Sequence, residues 1–411
     1  MLKNYFKIAL AVLRRRKFFT FISLFGISIT LTILIMVAAF FDHLFRAGYP
    51  DNKRDRSLYI SRIILQTKED WNITSPPSFH FLDRYVSQLK TPAKVAISST
   101  FKRTNTYVGN QKLPITYKYT NDQYWEVLEY QFLEGKPYNR QQIDAGERVA
   151  VISKEARDKY FGKVEGVVGK YIEADNIKYR VTGVVKDVPM TMLHVYSEVY
   201  LPYTVAKTDV RANTSLMGNF TAILLADSEA DLPKMKEEYS QLATRIPLPA
   251  REYTAMYTFA DTYLVGFIRD MFGQGKDSGL EYFYTIITIF VLLFTLLPTI
   301  NLVNINISRI MERSSEIGVR KAFGASSRTL VFQFIVENII LTFLGGAIGI
   351  ILSIIAISIF NGSGIIPNGQ LGLNLAVLLY TILACLVFGV VSGVYPAWRM
   401  SRMQVVAALK A

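Results

Sequence analysis

The chain has 411 residues, of which 51% are hydrophobic, and it carries a formal net charge of +13. This composition excludes an ordinary soluble protein without membrane-spanning segments. The charge does not indicate nucleic-acid binding, because nearly all of it lies in three short segments, 1–17, 309–328 and 399–411. The single cysteine, Cys385, excludes an internal disulfide.

The N-terminal part combines a basic segment with a long apolar run. Residues 1–17 place Leu2, Tyr5, Ala9 and Val12 at helical spacing among lysines and arginines, which predicts a short amphipathic helix along the inner membrane surface. A plain basic flank that only sets topology is the alternative. Residues 18–41 hold no charge and are long enough to cross a bilayer. A cleaved secretory signal would have a shorter apolar core, so we predict a retained first span.

Residues 42–281 have the mixed strand and helix patterns of a large α+β domain, which we expect to have two lobes. Ser78 and Ser153 stand where helix-capping serines are expected, and Asp175-Asn176 has the composition of a hairpin turn. From about residue 244 to Gly279 the pattern predicts no element. The predicted strands are 57–65, 104–108, 113–119, 149–152, 170–174, 178–185 and 220–226, and the predicted helices are 78–90, 121–130, 154–161 and 229–243.

Three more apolar runs follow, at 282–308, 329–360 and 371–398, and the only charge in them is Glu337. The positive-inside rule places the basic segments in the cytoplasm, so both termini lie inside, and region 42–281 and link 361–370 lie outside. The predicted fold is therefore an α-helical membrane protein with four transmembrane helices and a large α+β extracytoplasmic domain inserted between helices 1 and 2.

The cytoplasmic segment 309–328 separates the second and third apolar runs. As a helix it places Glu312, Glu316 and Arg320 four residues apart on one face, a spacing that stabilises a helix by roughly 0.2–0.5 kcal/mol per pair. Gly324 stands where such a helix would end. An ordinary solvated helix beside a membrane is the alternative interpretation.

Two stretches resemble a known family. The pattern SEIGVRKAFGAS, the apolar run with Gly345, Gly346 and Gly349, and the ending YPAWRMSRMQVVAALK resemble the FtsX-like permease domain of ABC transporters. The runs QFLEGKPYN, ERVAVISKEARDKYFG and VVGKYIEADNIKYRVTGVVKDVP resemble the periplasmic core domain of MacB-like permeases. The resemblance implies that 309–328 is a coupling helix that docks on a separate ATPase subunit. The coupling residues that it implies are Arg313, Glu316, Ile317, Gly318, Arg320, Lys321, Phe323 and Gly324.

The same resemblance implies a function. We expect a permease subunit, working as a dimer with a second copy or a paralogue in a bacterial inner membrane, that converts ATP hydrolysis by its partner into motion of the periplasmic domain. Such motion would drive export or extraction of a periplasmic or membrane substrate, with a periplasmic adaptor, an outer-membrane protein or a lipoprotein as a further partner. The alternative is an FtsX-type regulator of an extracytoplasmic cell-wall hydrolase. A receptor is a third class, but the sequence shows no cytoplasmic signalling domain.

Catalytic motifs are missing from the sequence. The nearest approach to a P-loop, GVVGKY at 166–171, has a misplaced first glycine and Tyr171 where a magnesium-binding Ser or Thr would stand. We therefore expect no enzyme activity and no cofactor in this chain, with ATP and magnesium bound by the partner. His43, His80 and His194 lack metal-ligand spacing, and no nucleophile signature of a hydrolase is present.

The membrane runs hold a carboxylate and two small-residue motifs. Glu337 would be costly at the bilayer centre, which usually marks a paired or functional group. It lies nine residues after Arg328, so we predict a structural pairing with a basic residue near the inner interface, with an ion or proton pathway as the alternative. Close helix packing, within one subunit or across a dimer, is predicted at Gly345-x-x-x-Gly349 and Gly389-x-x-x-Gly393.

Overall fold

The computed structural model describes residues 17–373 except 110, 274, 312–318, 320–322, 324 and 325, together with 376, 378–380, 383, 387, 390 and 394. The chain divides into two compact units. The first, called here the helical unit, comprises the chain up to His43, Tyr284–Ile365 and the chain from Gln370 onward. The second, called here the sheet unit, comprises Leu44–Phe283 and Ile366–Gly369.

Nine α-helices and thirteen β-strands are defined within the described residues. The helices are α1 (Lys17–Phe45), α2 (Phe79–Arg84), α3 (Tyr124–Val127), α4 (Arg140–Asp144), α5 (Lys154–Phe161), α6 (Leu232–Arg245), α7 (Tyr263–Phe272), α8 (Leu280–Met311) and α9 (Ser327–Gly362). The strands are β1 (Ser57–Ile60), β2 (Ile63–Thr67), β3 (Asn72–Ser75), β4 (Lys94–Ser99), β5 (Lys102–Val108), β6 (Gln111–Thr120), β7 (Phe132–Gly135), β8 (Val149–Ser153), β9 (Tyr171–Ala174), β10 (Ile177–Val185), β11 (Val199–Pro202), β12 (Phe220–Leu225) and β13 (Tyr253–Thr258).

The long helices α1, α8 and α9 contain the first three predicted apolar runs. Two helical stretches in the described part of the chain, Lys17–Phe45 and Val331–Gly362, are long and apolar enough to cross a membrane. In α8 the described apolar stretch, Leu280–Phe294, is shorter than these two. The fourth predicted run, 371–398, lies mostly outside the described residues.

The sheet unit is built on a mixed ten-stranded sheet and an antiparallel three-stranded sheet. The large sheet has the order β1-β12-β4-β6-β11-β8-β10-β7, with β5 beside β6 and β9 beside β10. Its parallel pairs are β10 with β8 and β11 with β6. The small sheet has the order β13-β2-β3. One apolar core includes residues of both sheets, such as Ile60 of β1 and Ile63 of β2.

The predicted single strand 57–65 was wrong. The chain leaves the large sheet after Ile60 and enters the small sheet at Ile63, so the two halves belong to different sheets. Between the two halves, Ser61 Oγ and Arg62 Nε contact Asp270 Oδ1 of α7 at 3.3 and 3.2 Å, so a partner far along the chain holds the residues at the break. Ile60 and Ile63 are both fully buried. An unbroken pattern of β-branched residues therefore concealed a crossing between sheets.

The helix predicted at 78–90 is shorter than expected. Its cap was predicted correctly, since Ser78 Oγ accepts a hydrogen bond from Phe81 N at 2.9 Å. The helix ends at Arg84, and the N–H groups of Lys90 and Thr91 donate instead to the carboxylate of Glu238, at 2.7 and 2.9 Å. Glu238, far along the chain, thus accepts from the backbone N–H groups that would have donated to helix carbonyls in the predicted last turn.

Other local predictions are confirmed. Ser153 caps α5 by accepting from Ala156 N at 3.0 Å. Asp175 and Asn176 have φ angles of 54° and 62° between β9 and β10, as a two-residue type I′ hairpin requires.

Two elements were not predicted. The stretch before Gly279, for which the sequence predicted no element, contains β13 and α7.

A short segment from late in the chain belongs to the sheet unit. Residues Ile366–Gly369 follow α9 and lie within the predicted outer link 361–370. Asn368 Nδ2 donates to Glu155 Oε2 at 2.6 Å, and the N–H of Met190 donates to the carbonyl of Pro367 at 3.2 Å. The sheet unit is therefore assembled from two separate parts of the sequence.

Candidate functional site

The predicted coupling segment is described only at a few positions. Phe323 N donates to the carbonyl of Val319 at 3.0 Å, which is one helical hydrogen bond. Phe323 is 89% exposed, and Met311 and Val319 are also exposed. Ser326 then caps α9 by accepting from Thr329 N at 3.2 Å. The other predicted coupling residues, Arg313, Glu316, Ile317, Gly318, Arg320, Lys321 and Gly324, lie outside the described residues.

Glu337 lies in α9 and is buried, with 4% of its surface exposed. Its Oε1 accepts a hydrogen bond from Gln333 Nε2 at 3.0 Å, one helical turn earlier. Asn338 beside it is also buried, and its carbonyl accepts from Thr342 Oγ1 at 2.8 Å. The carboxylate is thus part of a buried polar group on one helix. Its predicted pairing with a basic residue stays a prediction, because most candidates lie outside the described residues.

The glycines of the first small-residue motif lie against α1. A Cβ on Gly345 would stand 2.8 Å from Ile27 Cγ2, and one on Gly349 would stand 3.0 Å from the Ser28 carbonyl oxygen. Thr32 Oγ1, which donates to the carbonyl of Ser28 at 2.7 Å, also lies 3.2 Å from the carbonyl oxygen of Gly349. The contact therefore lies within one chain, between α1 and α9. Gly389 and Gly393 of the second motif are outside the described residues.

In the sheet unit, a buried arginine holds the segment that follows α1. Arg54 Nε donates to Asp51 Oδ2 at 2.7 Å. Its Nη1 donates to the carbonyls of Leu44 and Arg46 at 3.3 and 3.0 Å, where α1 ends. The last carbonyls of a helix have no partner within the helix, so Arg54 supplies one. We call Asp51 and Arg54 the first arginine clamp.

A second arginine holds the segment that precedes α8 in the same way. Arg269 donates to both oxygens of Asp261, from Nε at 2.6 Å and from Nη2 at 3.4 Å. Its Nη1 donates to the carbonyl of Lys276 at 3.2 Å, between α7 and α8. The guanidinium carbon lies 3.7 Å from the centroid of the Phe259 ring. Asp261 and Arg269, both buried, form the second arginine clamp.

Tyr59 joins the two clamps. Its backbone exchanges hydrogen bonds with the backbone of Asp261, at 2.7 and 3.0 Å. Its hydroxyl donates to Asp51 Oδ2 at 2.7 Å. Burial, with the nearby charge of Asp51 adding to it, raises the pKa of Tyr59, so the hydroxyl keeps the proton that it donates. Buried ion pairs break at a cost of several kcal/mol, and this network therefore keeps both connecting segments in fixed geometry.

Next to this network lies a buried cation without a carboxylate partner among its described contacts. Lys118 of β6 is 1% exposed, and its Nζ donates to the carbonyl of His194 at 2.5 Å. Burial lowers the pKa of Lys118 to about 7. The pKa of the His194 imidazole is lowered to about 4, first by burial and then by the charges of Lys118 and Arg54. His194 is therefore neutral at pH 7.

The clamps were missed by sequence reasoning. None of the four clamp residues, Asp51, Arg54, Asp261 and Arg269, was predicted to have a role. A signal existed for the first pair, because an Asp and an Arg three residues apart directly follow an apolar helix and a proline. The second pair lies in the stretch whose pattern predicted no element.

Two family models match the chain. The MacB-like periplasmic core domain matches residues 20–242, which is more than half of the chain. The FtsX-like permease C-terminal domain matches residues 288–405. These matches, on an α+β sheet unit between helices long enough to span a membrane, define a class of membrane permease. The chain belongs to the MacB-like and FtsX-like family of ABC transporter permeases.

The curated relatives agree with this class. The chain is 24% identical over 322 residues to an uncharacterized ABC transporter permease, YknZ, of Bacillus subtilis (strain 168), covering 77% of this chain and 75% of that protein. It is 26% identical over 287 residues to the macrolide export ATP-binding/permease protein MacB of Escherichia coli (strain K12), covering 70% of this chain. The chain spans 42% of that MacB protein, less than half of its length.

Solved structures of similar regions exist as well. The periplasmic region of MacB from Actinobacillus actinomycetemcomitans has a TM-score of 0.37 and 16% identity, covering 54% of this chain and 97% of that one. The extracellular domain of YknZ has a TM-score of 0.36 and 18% identity, covering 49% and 99%. Both scores are below 0.5, so the fold rests on the helices and strands described above.

Proposed function

We propose that this chain is the permease subunit of an ABC transporter that transmits ATP-driven motion to its extracytoplasmic domain. In this proposal it has four spans in a bacterial inner membrane, with both termini in the cytoplasm and the sheet unit outside. A separate nucleotide-binding subunit binds ATP and magnesium. A second copy or a paralogue completes a dimer. The motion exports or extracts a periplasmic or membrane substrate, with an adaptor, outer-membrane or lipoprotein partner on the outer side.

The exposed apolar side chain of Phe323 is the observation that carries this proposal. It lies between α8 and α9 in a segment rich in charged residues, and it is 89% exposed. Val319, one helical turn earlier, is 45% exposed on the same segment. Exposed apolar side chains in a segment whose sequence is otherwise rich in charged residues are typical of a protein docking site. The family membership supports an ATPase as the partner.

The contacts within each unit suggest how motion would travel. Ser326 joins the docking segment directly to the first turn of α9. Gly345 and Gly349 of α9 lie close against α1, so we propose that the two helices move as a pair. The last carbonyls of α1 are held by Arg54, whose clamp is linked through Tyr59 to the second clamp. Packed interfaces and hydrogen-bonded networks of this kind carry coupling between distant sites.

The test is a crosslinked pull-down of the full-length chain from native membranes. We expect the wild type to capture an ABC ATPase and Phe323→Glu to lose it, because the substitution places a charge in an apolar contact. Trp71→Glu is the matched control, since Trp71 is a 72% exposed aromatic residue of the sheet unit. It should capture the ATPase as the wild type does.

Other outcomes of the pull-down would point elsewhere. Capture of a cell-wall hydrolase on the sheet unit would favour the regulatory alternative over export. Failure of the wild type to capture any ATPase would contradict the proposal. Replacement of Glu316 and Arg320 adds a second check, because it should uncouple the ATP turnover of the partner from this chain.

A further inference from the structure

The sheet unit contains an apolar pocket of about 640 Å³. Phe267 and Met271 of α7 form part of its wall, and Phe101 and Leu193 approach from other segments. Met271 is 62% exposed and Leu193 is 52% exposed, so the apolar surface continues to the mouth. Pockets that bind small molecules have volumes of roughly 300–1,000 Å³ and similarly apolar walls.

The polar groups of the pocket restrict the charge of a ligand. Asp270 is on the wall, and its carboxylate disfavours an anion. Arg62 Nε already lies 3.2 Å from Asp270 Oδ1, and Ser61 Oγ donates to the same oxygen at 3.3 Å. A cationic ligand would therefore have to compete with Arg62 for this carboxylate. His194, also on the wall, is neutral at pH 7, so an uncharged molecule meets neither repulsion nor competition.

The size of the pocket and its mixed lining indicate the kind of ligand. Thr100, Thr191 and Thr221 are on the wall together with the apolar residues, and Thr221 Oγ1 already donates to the carbonyl of Ser98 at 3.4 Å. Pockets of this size with a few polar side chains in an apolar wall are typical of sites for small organic molecules. We propose that this pocket binds an uncharged, largely apolar small molecule of drug-like size.

The test uses a cysteine at the mouth of the pocket as a local reporter. Cys385→Ser removes the only native cysteine, and Met271→Cys then introduces one at the mouth. The full-length protein in lipid nanodiscs is alkylated with a maleimide dye, with and without the uncharged probe N-phenyl-1-naphthylamine. At about ten times the Kd of the probe, the unoccupied fraction and the alkylation rate should fall about tenfold.

Three controls make the result specific to this pocket. Leu133→Cys, on β7 and 43% exposed, reports non-specific partition of the probe and should show no protection. The sulfonate analogue 1-anilinonaphthalene-8-sulfonate has the same aromatic skeleton with a negative charge, and it should protect Met271→Cys much less. Adding Leu193→Asp, at an exposed position, should abolish protection without unfolding the chain.

The proposal is overturned if the uncharged probe leaves alkylation of Met271→Cys unchanged. It is equally overturned if Leu133→Cys is protected to the same extent, or if the sulfonate protects as well as the uncharged probe does. The assay contains neither nucleotide nor ATPase. A negative result would therefore leave the proposed coupling function standing, and a failed pull-down would leave the pocket standing.

Discussion

The guanidinium carbon of Arg54 lies 3.6 Å from the centroid of the Tyr263 ring. Arg54 belongs to the segment that follows α1, and Tyr263 begins α7, which precedes α8. A cation this close to an aromatic face gains about 0.5–2 kcal/mol, more when it is shielded from water. The contact therefore adds to the link between the two arginine clamps that Tyr59 already provides.

Breaking the first clamp should destabilise the protein strongly. Arg54→Met leaves the buried carboxylate of Asp51 without its cation and the carbonyls of Leu44 and Arg46 without their donor. We expect a loss of about 3–5 kcal/mol, the usual cost of removing one partner of a buried ion pair. Denaturant unfolding of the detergent-solubilised chain, followed by tryptophan fluorescence, measures it.

Arg140→Met is the matched control for this change. Arg140 also pairs with an aspartate, Asp144, at 3.0 Å, but both side chains are at least half exposed. We expect the control to cost less than about 1 kcal/mol, as exposed ion pairs do. Equal losses of unfolding free energy in the two variants would show that burial does not make the Arg54–Asp51 pair more important for stability than an exposed pair.

Adding one methyl group to α9 should separate it from α1. In Gly345→Ala the new Cβ would stand 2.8 Å from Cγ2 and 2.9 Å from Cβ of Ile27. The Cβ of Ile27 is fixed to the backbone, so rotation of the Ile27 side chain cannot move it away. Overpacking of this kind costs about 1–3 kcal/mol. The melting temperature in detergent should therefore fall.

Gly362→Ala tests whether this effect is steric. Gly362 is at the end of the same helix, and a Cβ there meets nothing within 4 Å. Alanine favours a helix over glycine, so this variant should melt at the wild-type temperature or slightly above it. Gly345→Ala and Ile27→Ala together should lower stability by less than the sum of the two single losses, because Ile27→Ala removes apolar contacts and the obstacle at once. Additive losses would mean that Ile27 is not the obstacle.

The buried Lys118 should make stability depend on pH in the alkaline range. Its pKa is about 7 in the folded protein and 10.5 as the ordinary value, so between these limits the unfolded chain binds more protons than the folded one. Stability then rises with pH by up to about 1.4 kcal/mol per pH unit. Below pH 7 both states are protonated and this contribution to the slope disappears.

Lys118→Met isolates this contribution, because methionine fills the site without a proton to lose. Unfolding midpoints of wild type and variant are compared at pH 7, 8 and 9. The stability of the wild type relative to the variant should increase across this series. If the stabilities of wild type and variant instead change with pH in parallel, Lys118 keeps an ordinary pKa in the folded protein.

Substitutions of Glu337 distinguish a structural carboxylate from an ion pathway. Glu337→Gln keeps an oxygen that can accept from Gln333 Nε2, so we expect near-normal stability and ATP turnover of the assembled transporter. Glu337→Leu removes that buried acceptor and should cost about 1–3 kcal/mol. A stable but inactive Glu337→Gln protein would instead favour an ion or proton pathway.

Local features of the fold were readable from the sequence wherever a short-range signal decides them. The caps at Ser78 and Ser153 and the turn at Asp175-Asn176 depend on a few adjacent residues. The crossing after Ile60 and the end of α2 are accompanied by hydrogen bonds to Asp270 and Glu238, more than 140 residues away. No local pattern contains that information.

The same distinction applies to the candidate site. The spacing of Gly345 and Gly349 predicted close helix packing, and these glycines do lie against α1, whereas the docking segment at 309–328 stays a prediction. The clamps escaped prediction because hydrogen bonds from an arginine to backbone carbonyls 7 to 10 residues away, and contacts with an aromatic ring, leave no pattern of residue types in the sequence. Arg54, for example, contacts Leu44 and Tyr263, which are far apart in sequence.

The short segment Ile366–Gly369 has a practical consequence for studies of the sheet unit. A fragment that begins at Leu44 and ends at Phe283 omits these residues, although they belong to the same compact body. Glu155 would then lose its bond to Asn368, and the N–H of Met190 would lose its acceptor. A recombinant sheet unit made from one continuous stretch would therefore lack these two hydrogen bonds and the residues that make them. Joining residues 366–369 to the fragment through a linker would restore both.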